Sequence, residues 1–264
     1  WSVRRAFAKR RRPARLITES LPSALNMSTQ TNEFGQPIGA ALPDWQGALA
    51  PPETEMLGRY CRVEPLIPAI HSADLFQAFS DDKDGRLWTY MAAGPFNSED
   101  QFTAWVETVS GQQDPLFHAI VDNTRDKALG LCAFLRVKPT VGVIEVGSIT
   151  FAPALQQTIM ATEAMFLMMS RVFDELGYRR YEWKCDTLNE ASRKAAKRLG
   201  FKFEGTFAQA LVYKGRNRDT AWFAILDTQW PQLKRAYLQW LDPANFDTDG
   251  IQKQTLSKLL NAPG

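Results

Sequence analysis

Polar residues crowd one stretch of the chain, Tyr178 to Gly205, which reads YRRYEWKCDTLNEASRKAAKRLGFKFEG. The pattern predicts a strand, a turn carrying Asn189, a short helix closed by Gly200, and a second strand. An upstream helix, predicted over Gln156 to Leu176, stops the same way: Leu176-Gly177-Tyr178 repeats as Leu199-Gly200-Phe201. Helix, strand, helix, strand, with polar groups gathered at a strand-to-helix turn, is the pattern of a cofactor-binding α/β enzyme rather than a repeat or a scaffold. Metal chemistry is poorly supplied. Cys61, Cys132 and Cys185 lie far apart with no C-x-x-C spacing, and His71 and His118 are the only histidines. No metal and no disulfide framework is expected, and a reducing, cytoplasmic setting is.

The elements that must position this turn follow from periodicity. Tyr60 to Leu66 alternates and predicts a strand. Pro68 to Ser80 predicts a helix with Ile70, Leu75, Phe76 and Phe79 inward. Ser98-Glu99-Asp100-Gln101 reads as a capping box opening a helix whose one face holds Phe102, Trp105, Val106 and Val109. Leu116 to Val121, Ala128 to Val137 and Val141 to Phe151 then predict an antiparallel meander. In the long helix, Glu163, Ser170, Arg171 and Asp174 form one narrow polar stripe. The rest is apolar, as in a helix buried against a sheet, and Met160, Met165, Met168 and Met169 are core filling. Phe201 to Phe207 and Leu211 to Tyr213 predict short strands, Gly215 to Asp219 a turn, and Thr220 to Leu226 a last strand.

The 264 residues suit one domain with tails. No apolar run approaches the roughly 18 residues of a membrane span. Residues 1 to 26 hold seven Arg or Lys against Glu19 alone, a local charge of +6, so the rest of the chain carries −4 of the total +2. A nucleic-acid binder would show its basic charge on the folded surface, so none is expected as a partner. The basic segment has three readings: a leader ahead of a true start at Met27, a disordered basic tail, or an organellar transit peptide, which ranks last because Leu16 to Leu25 is only weakly amphipathic. Asn26-Met27-Ser28 matches a glycosylation acceptor by chance. Residues 1–56 are expected to be leader and extended arm, 57–230 the folded domain, and 231–264 an amphipathic tail with Leu233, Tyr237, Leu238, Trp240 and Leu241. That tail packs on the domain or on a partner. Its aromatic pair, Tyr237 and Trp240, is the basis for expecting a homodimer.

With these residues in view, the chain resembles the GNAT superfamily of acyl-CoA-dependent N-acetyltransferases. Within it, the chain resembles the branch that includes the ribosomal-protein N-terminal acetyltransferases. The resemblance covers roughly Leu57 to Trp230. It rests on Ile144-Glu145-Val146-Gly147, Ala161-Thr162-Glu163-Ala164, Asn189-x-x-Ser192, Arg198-Leu199-Gly200-Phe201, Glu204-Gly205, Gly215 to Asp219, and Trp222. It implies a twisted mixed sheet with helices on both faces, and acetyl transfer from acetyl-CoA to an amine by direct attack in a ternary complex, without a metal. The amine acceptor is a protein N-terminus or lysine, or a small molecule. A non-catalytic acyl-CoA-binding or interaction module is the alternative. No membrane partner is expected.

The family's pyrophosphate loop reads Q/R-x-x-G-x-G/A. Aligned on Ala161, this chain offers Gln156, Ile159 and Ala161, with isoleucine at the first glycine. The resemblance implies that Gln156, Gln157, Thr158, Ile159, Met160 and Ala161 hold the diphosphate. The binding groups are main-chain N–H groups at a helix N-terminus, so they survive a side-chain change, although Ile159 adds bulk. Ile149 and Phe151 lie on the strand expected to splay from its neighbour, leaving backbone groups for the pantetheine arm. Asn189 caps the short helix, binds that arm, or both, and Arg193 reaches the phosphates or lies on a solvated helix face. Glu145 is the favoured base, with a cross-strand salt bridge as its alternative reading and Glu182 and Asp186 as rivals. A further carboxylate of the ribosomal-protein enzymes falls at Leu211 and is missing. Ser192 would protonate the leaving thiolate or serve its own helix. Trp88 and Tyr90 are candidates for the acceptor pocket or for core, and Arg216, with Asn217 and Arg218, for acceptor contact from a hairpin turn or for a plain exposed turn.

Overall fold

The computed structural model describes residues 30–262. The basic leader and Asn26-Met27-Ser28 lie outside them. Two compact units divide at residue 45. In the first, β1 (Gln30–Thr31) pairs with β2 (Pro37–Ile38) in a small hairpin. Its turn is held by Asn32, whose Oδ1 accepts from the N–H of Phe34 and of Gln36.

The second unit contains an eight-stranded sheet in the order β3 (Met56–Leu57), β4 (Cys61–Pro65), β5 (Leu116–Asp122), β6 (Lys127–Lys138), β7 (Val143–Phe151), β8 (Arg180–Asp186), β10 (Arg216–Leu226), β9 (Lys202–Tyr213). Every neighbouring pair is antiparallel except β7 with β8. The sheet separates two apolar cores. One holds α1 (Pro68–Phe79) and α2 (Glu99–Val109), and the other holds α3 (Ile159–Ser170), α4 (Glu190–Arg198) and α5 (Trp230–Leu241). Alternation along β5 sends Ile120 to one core and Ala119 and Val121 to the other. Among the described residues, no helix is long and apolar enough to cross a membrane.

Several expectations need correction. Ile70 is 60% exposed and does not face inward, whereas Leu75 and Phe79 are buried. Ser98 caps α2 by accepting from Gln101 N, but the Gln101 side chain returns to the N–H of Asn97, one residue before the cap. The long helix starts at Ile159, because Gln157 adopts φ +60° and Thr158 takes the cap. It ends in a widened turn over Arg171–Glu175. Two residues of that helix's polar stripe, Glu163 and Arg171, are buried and bonded to distant main chain, while Asp174 is exposed. Glu163 accepts the N–H of Arg59, Tyr60 and Cys61, and Arg171 donates to Thr54 Oγ1 and Glu55 O. Beyond α4, β9 and β10 are single long strands, and the turn between them is Lys214-Gly215, at φ +47° and +69°. Arg216, Asn217 and Arg218 therefore belong to a strand, not to a turn.

The tail packs on its own domain. Tyr237 and Trp240 are buried, Tyr237 stacks on Phe166, and its hydroxyl donates to Leu199 O at 2.9 Å. The aromatic pair expected to support a homodimer is consumed inside the chain. Leu238 alone of the tail's expected apolar face points outward.

Candidate active site

The ladder between β7 and β8 runs from Val143↔Arg180 to Val146↔Trp183 and stops there. Both strands go on, β7 through Gly147–Phe151 and β8 through Lys184–Asp186, without pairing to each other. A β-bulge accompanies the parting. Gly147 faces Ala133 on β6 and Thr150 faces Leu131, so β7 holds one extra residue, and Ser148 lies at φ +50°. A bulge bends and twists its strand, which turns the end of β7 away from β8. Ile149 and Phe151 put half-buried side chains against the core. Their main chain borders the opening.

Two helix N-termini flank this opening in sequence, α3 after β7 and α4 after β8. Thr158 Oγ1 accepts from Ala161 N at 3.1 Å and donates to Leu155 O at 2.7 Å. The first-turn N–H groups of Ile159 and Met160 have no intrahelical acceptor, and both side chains lean on the core. Gln156 Nε2 donates back to Phe151 O at 2.9 Å, fixing the loop, while Gln157 is exposed. Asn189 caps α4, its Oδ1 accepting from Ser192 N at 3.0 Å. Ser192 Oγ accepts from the indole N–H of Trp183 at 2.9 Å, and its own proton is turned toward the Cys185 sulfur. Arg193 donates to Thr187 O at 3.2 Å.

Alternation divides the end of β8 between the two faces of the sheet. Trp183 and Cys185 join the core under α3 and α4, on the side of Ser192. Glu182, Lys184 and Asp186 take the opposite face, with Glu145 from β7. Lys184 Nζ lies 2.8 Å from Glu145 and 2.7 Å from Glu182 and sits over the Trp222 ring. Glu145 is also 2.7 Å from Arg136, and Glu182 2.6 Å from Arg180. Burial opposes the charge of Glu182, but bonds from Lys184 and Arg180 outweigh it and hold the carboxyl below its usual range. Glu145 thus adopts the cross-strand ion-pair arrangement. Asp186 differs, having no cationic partner within ion-pair distance among the described residues. Its Oδ1 accepts from Leu188 N at 2.8 Å and its Oδ2 from the hydroxyl of Tyr213 at 2.9 Å. Burial and that hydrogen bond push the Tyr213 phenol up to about 12.

A strap over residues 86–96 closes the same face. Tyr90 donates to Leu188 O at 3.1 Å, and Lys214 Nζ donates to Trp88 O at 2.7 Å. Tyr90 therefore borders the end of β8. The Trp88 ring, only 5% exposed, sits among Phe79, Phe96 and Trp105 as core. Arg216 is exposed at the start of β10 and lies outside this group. Tyr213 and Lys214 escaped the sequence reading, since only the long β9–β10 ribbon carries them to β8 and the strap. Among the described residues, no group of three His, Cys, Asp or Glu side chains is placed to hold a metal ion.

Parted strands, with a capped helix starting after each, mark the candidate site of this α/β fold. Residues 62–202 match the acetyltransferase (GNAT) domain, and the chain belongs to that family. It is a GNAT-type N-acetyltransferase. A GCN5-related N-acetyltransferase from Brucella melitensis is 46% identical, with a TM-score of 0.82, covering 84% of this chain and all of its own. A GNAT-family protein from Chromobacterium violaceum is 40% identical, with a TM-score of 0.69, over 74% of this chain and 98% of its own. An acetyl transferase from Salmonella typhimurium that modifies the N-terminal serine of ribosomal protein L7/L12 shares the fold at 18% identity, TM-score 0.56, over 65% of this chain and 98% of its own. No curated protein matches the chain significantly.

Proposed function

We propose that this enzyme takes its acetyl group from acetyl-CoA and passes it to a primary amine by direct attack in a ternary complex. The parting of β7 from β8 beyond Val146 and Trp183 carries this reading. Gly147 to Phe151 offer unpaired main-chain groups on the side facing β8. These suit the amide-rich pantetheine arm and can supply an N–H to the developing oxyanion. The free N–H groups of Ile159 and Met160, aided by the dipole of α3, suit a diphosphate. Ile159 does not obstruct them, because its side chain leans on the core. Ser192 can turn its hydroxyl proton from the Cys185 sulfur to the departing thiolate, and Arg193 lies one position further along α4. Acetyl-CoA supplies an activated acyl thioester, and the chain's own groups orient it and move the protons.

The amine must arrive neutral. A primary alkyl ammonium costs roughly 4 kcal/mol to deprotonate at pH 7, and an α-amine much less. On the acceptor face Glu145 and Glu182 are held by cations, and Asp186, with no ion-pair partner among the described residues, suits a cationic acceptor, a protein N-terminus or lysine or a small amine. The three cysteines are free and buried, which fits a reducing, cytoplasmic setting.

The test is release of free CoA from acetyl-CoA against peptides with a free N-terminus, N-blocked lysine peptides, and small amines. We expect release with one of these classes. Binding of acetyl-CoA without release with any amine would leave only a binding module, and absence of calorimetric heat with CoA would remove the cofactor site.

A further inference from the structure

We propose that Tyr213 and Asp186 form the proton relay that neutralises the incoming amine, with the phenol at the acceptor and the carboxylate behind it. The inference rests on the acetyl-transfer reading above. It starts from the three carboxylates on the acceptor face. Glu145 and Glu182 are each held by Lys184 and by an arginine, and a carboxylate gripped by two cations is a poor proton acceptor. Asp186 has neutral donors only, the hydroxyl of Tyr213 and the N–H of Leu188. It is 4% exposed and stands at the last position of β8, past the point where β7 leaves. A carboxylate this buried reaches a substrate most directly through a neighbour. Tyr213 is that neighbour, half-buried, with its hydroxyl 2.9 Å from Oδ2.

The proton accounting is simple. The phenol oxygen accepts a proton from the ammonium while its own proton passes to Asp186 Oδ2. The neutral amine then forms the N–C bond to the thioester carbonyl. The C–S bond breaks with its electron pair on sulfur, and the second nitrogen proton ends on sulfur, through the Ser192 hydroxyl on the other side of the opening. Asp186 later releases its proton to water. The charged and titratable groups around the relay are Arg218 on β10, Tyr90 on the strap, Lys184 two residues back on β8, and Cys185 beside it. Arg218 donates to Thr220 Oγ1 and lies 5.8 Å from the Tyr213 ring. Lys184 is engaged by Glu145 and Glu182. None of them pairs with Asp186.

The experiment compares kcat and KM of the parent, Tyr213→Phe, Asp186→Asn and the double variant from pH 6 to 10, with acetyl-CoA affinity and Tm as checks on folding. Each single variant should lose about 100-fold or more in kcat at pH 7. KM for acetyl-CoA should not change. The double variant should be no worse than the singles, since the two act as one unit. The loss should shrink as pH passes the acceptor amine's own pKa, because a free amine needs no relay. Asp186→Asn keeps an acceptor for Leu188 N, so it tests the relay even where Tyr213→Phe folds poorly. Variants within about threefold of the parent at pH 7, a deficit constant to pH 10, or losses that multiply in the double variant would overturn the relay alone. A parent enzyme that releases CoA with no amine would overturn the acetyl-transfer reading and the relay together.

Discussion

Glu163 anchors the start of α3, and its replacement should show how firmly the end of the site proposed for the diphosphate is held. Its carboxylate accepts three successive main-chain N–H groups, from Arg59 at 2.8 Å, Tyr60 at 2.7 Å and Cys61 at 2.9 Å. Such a run of N–H groups is an anion nest. The side chain is 4% exposed, so water does not compete. In Glu163→Gln the amide oxygen can keep Tyr60 and Cys61, but the amide nitrogen then faces the N–H of Arg59, donor against donor. One charge-assisted bond is lost, a buried donor is left unmet at about 1–3 kcal/mol, and two bonds weaken from ionic to neutral by about 0.5–1 kcal/mol each. We expect a loss of about 3–5 kcal/mol in urea unfolding. Because Glu163 lies in the second turn of α3, calorimetry should also record weaker CoA binding. Gly58→Ala should act similarly, since a Cβ there would fall 2.6 Å from the Glu163 carboxyl and 2.8 Å from Cys61 O. A loss under about 1 kcal/mol for Glu163→Gln, with CoA affinity unchanged, would refute this account of the anchor.

Three further outcomes can be measured. His118 is wholly buried, and burial pushes its imidazole down to about 4. The unfolded chain therefore binds a proton near 6.5 that the folded chain refuses. Stability should be intact above pH 6.5 and fall by up to about 3 kcal/mol as pH drops to 4, and the same titration of His118→Leu should lack that component. Thr158→Val removes the cap of α3 and should cost about 1 kcal/mol in stability. CoA affinity should drop several-fold by calorimetry, because the freed N–H of Ala161 disturbs the turn. Lys184→Met strips the shared cation from Glu145 and Glu182, which should cost about 3–5 kcal/mol in thermal or urea unfolding.

The parts of this fold legible in sequence are those fixed by neighbours along the chain. Asn189 announced a helix start, and the cap it makes to Ser192 is local. The meander Leu116 to Phe151 showed in its strand-like runs and the turns between them. What escaped depends on residues far apart. Glu163 and Arg171 read only as part of a narrow polar stripe because their partners, Thr54 to Cys61, lie about a hundred positions earlier. The strand over Arg216 to Asp219 read as a turn because its residues are polar. That ribbon is exposed, so no core demanded alternation there. The Tyr213–Asp186 contact arises only once β9 and β10 run on together beyond the sheet's other strands. The opening itself accompanies a one-residue bulge at Ser148, and Gly147 beside it, an isolated glycine inside a strand, is a local signal of that bulge that the sequence reading did not use.

The division of labour between the two faces of the sheet has a consequence for how such a protein can change. In the reaction proposed above, donor handling rests on the turns entering α3 and α4, whereas the partner molecule meets the strap and the long ribbon. Mutational drift in Tyr90, Lys214 or the ribbon other than Tyr213 can retune what is modified while the donor cradle stays untouched. A descendant could therefore acquire a new clientele without relearning how to load its acetyl group.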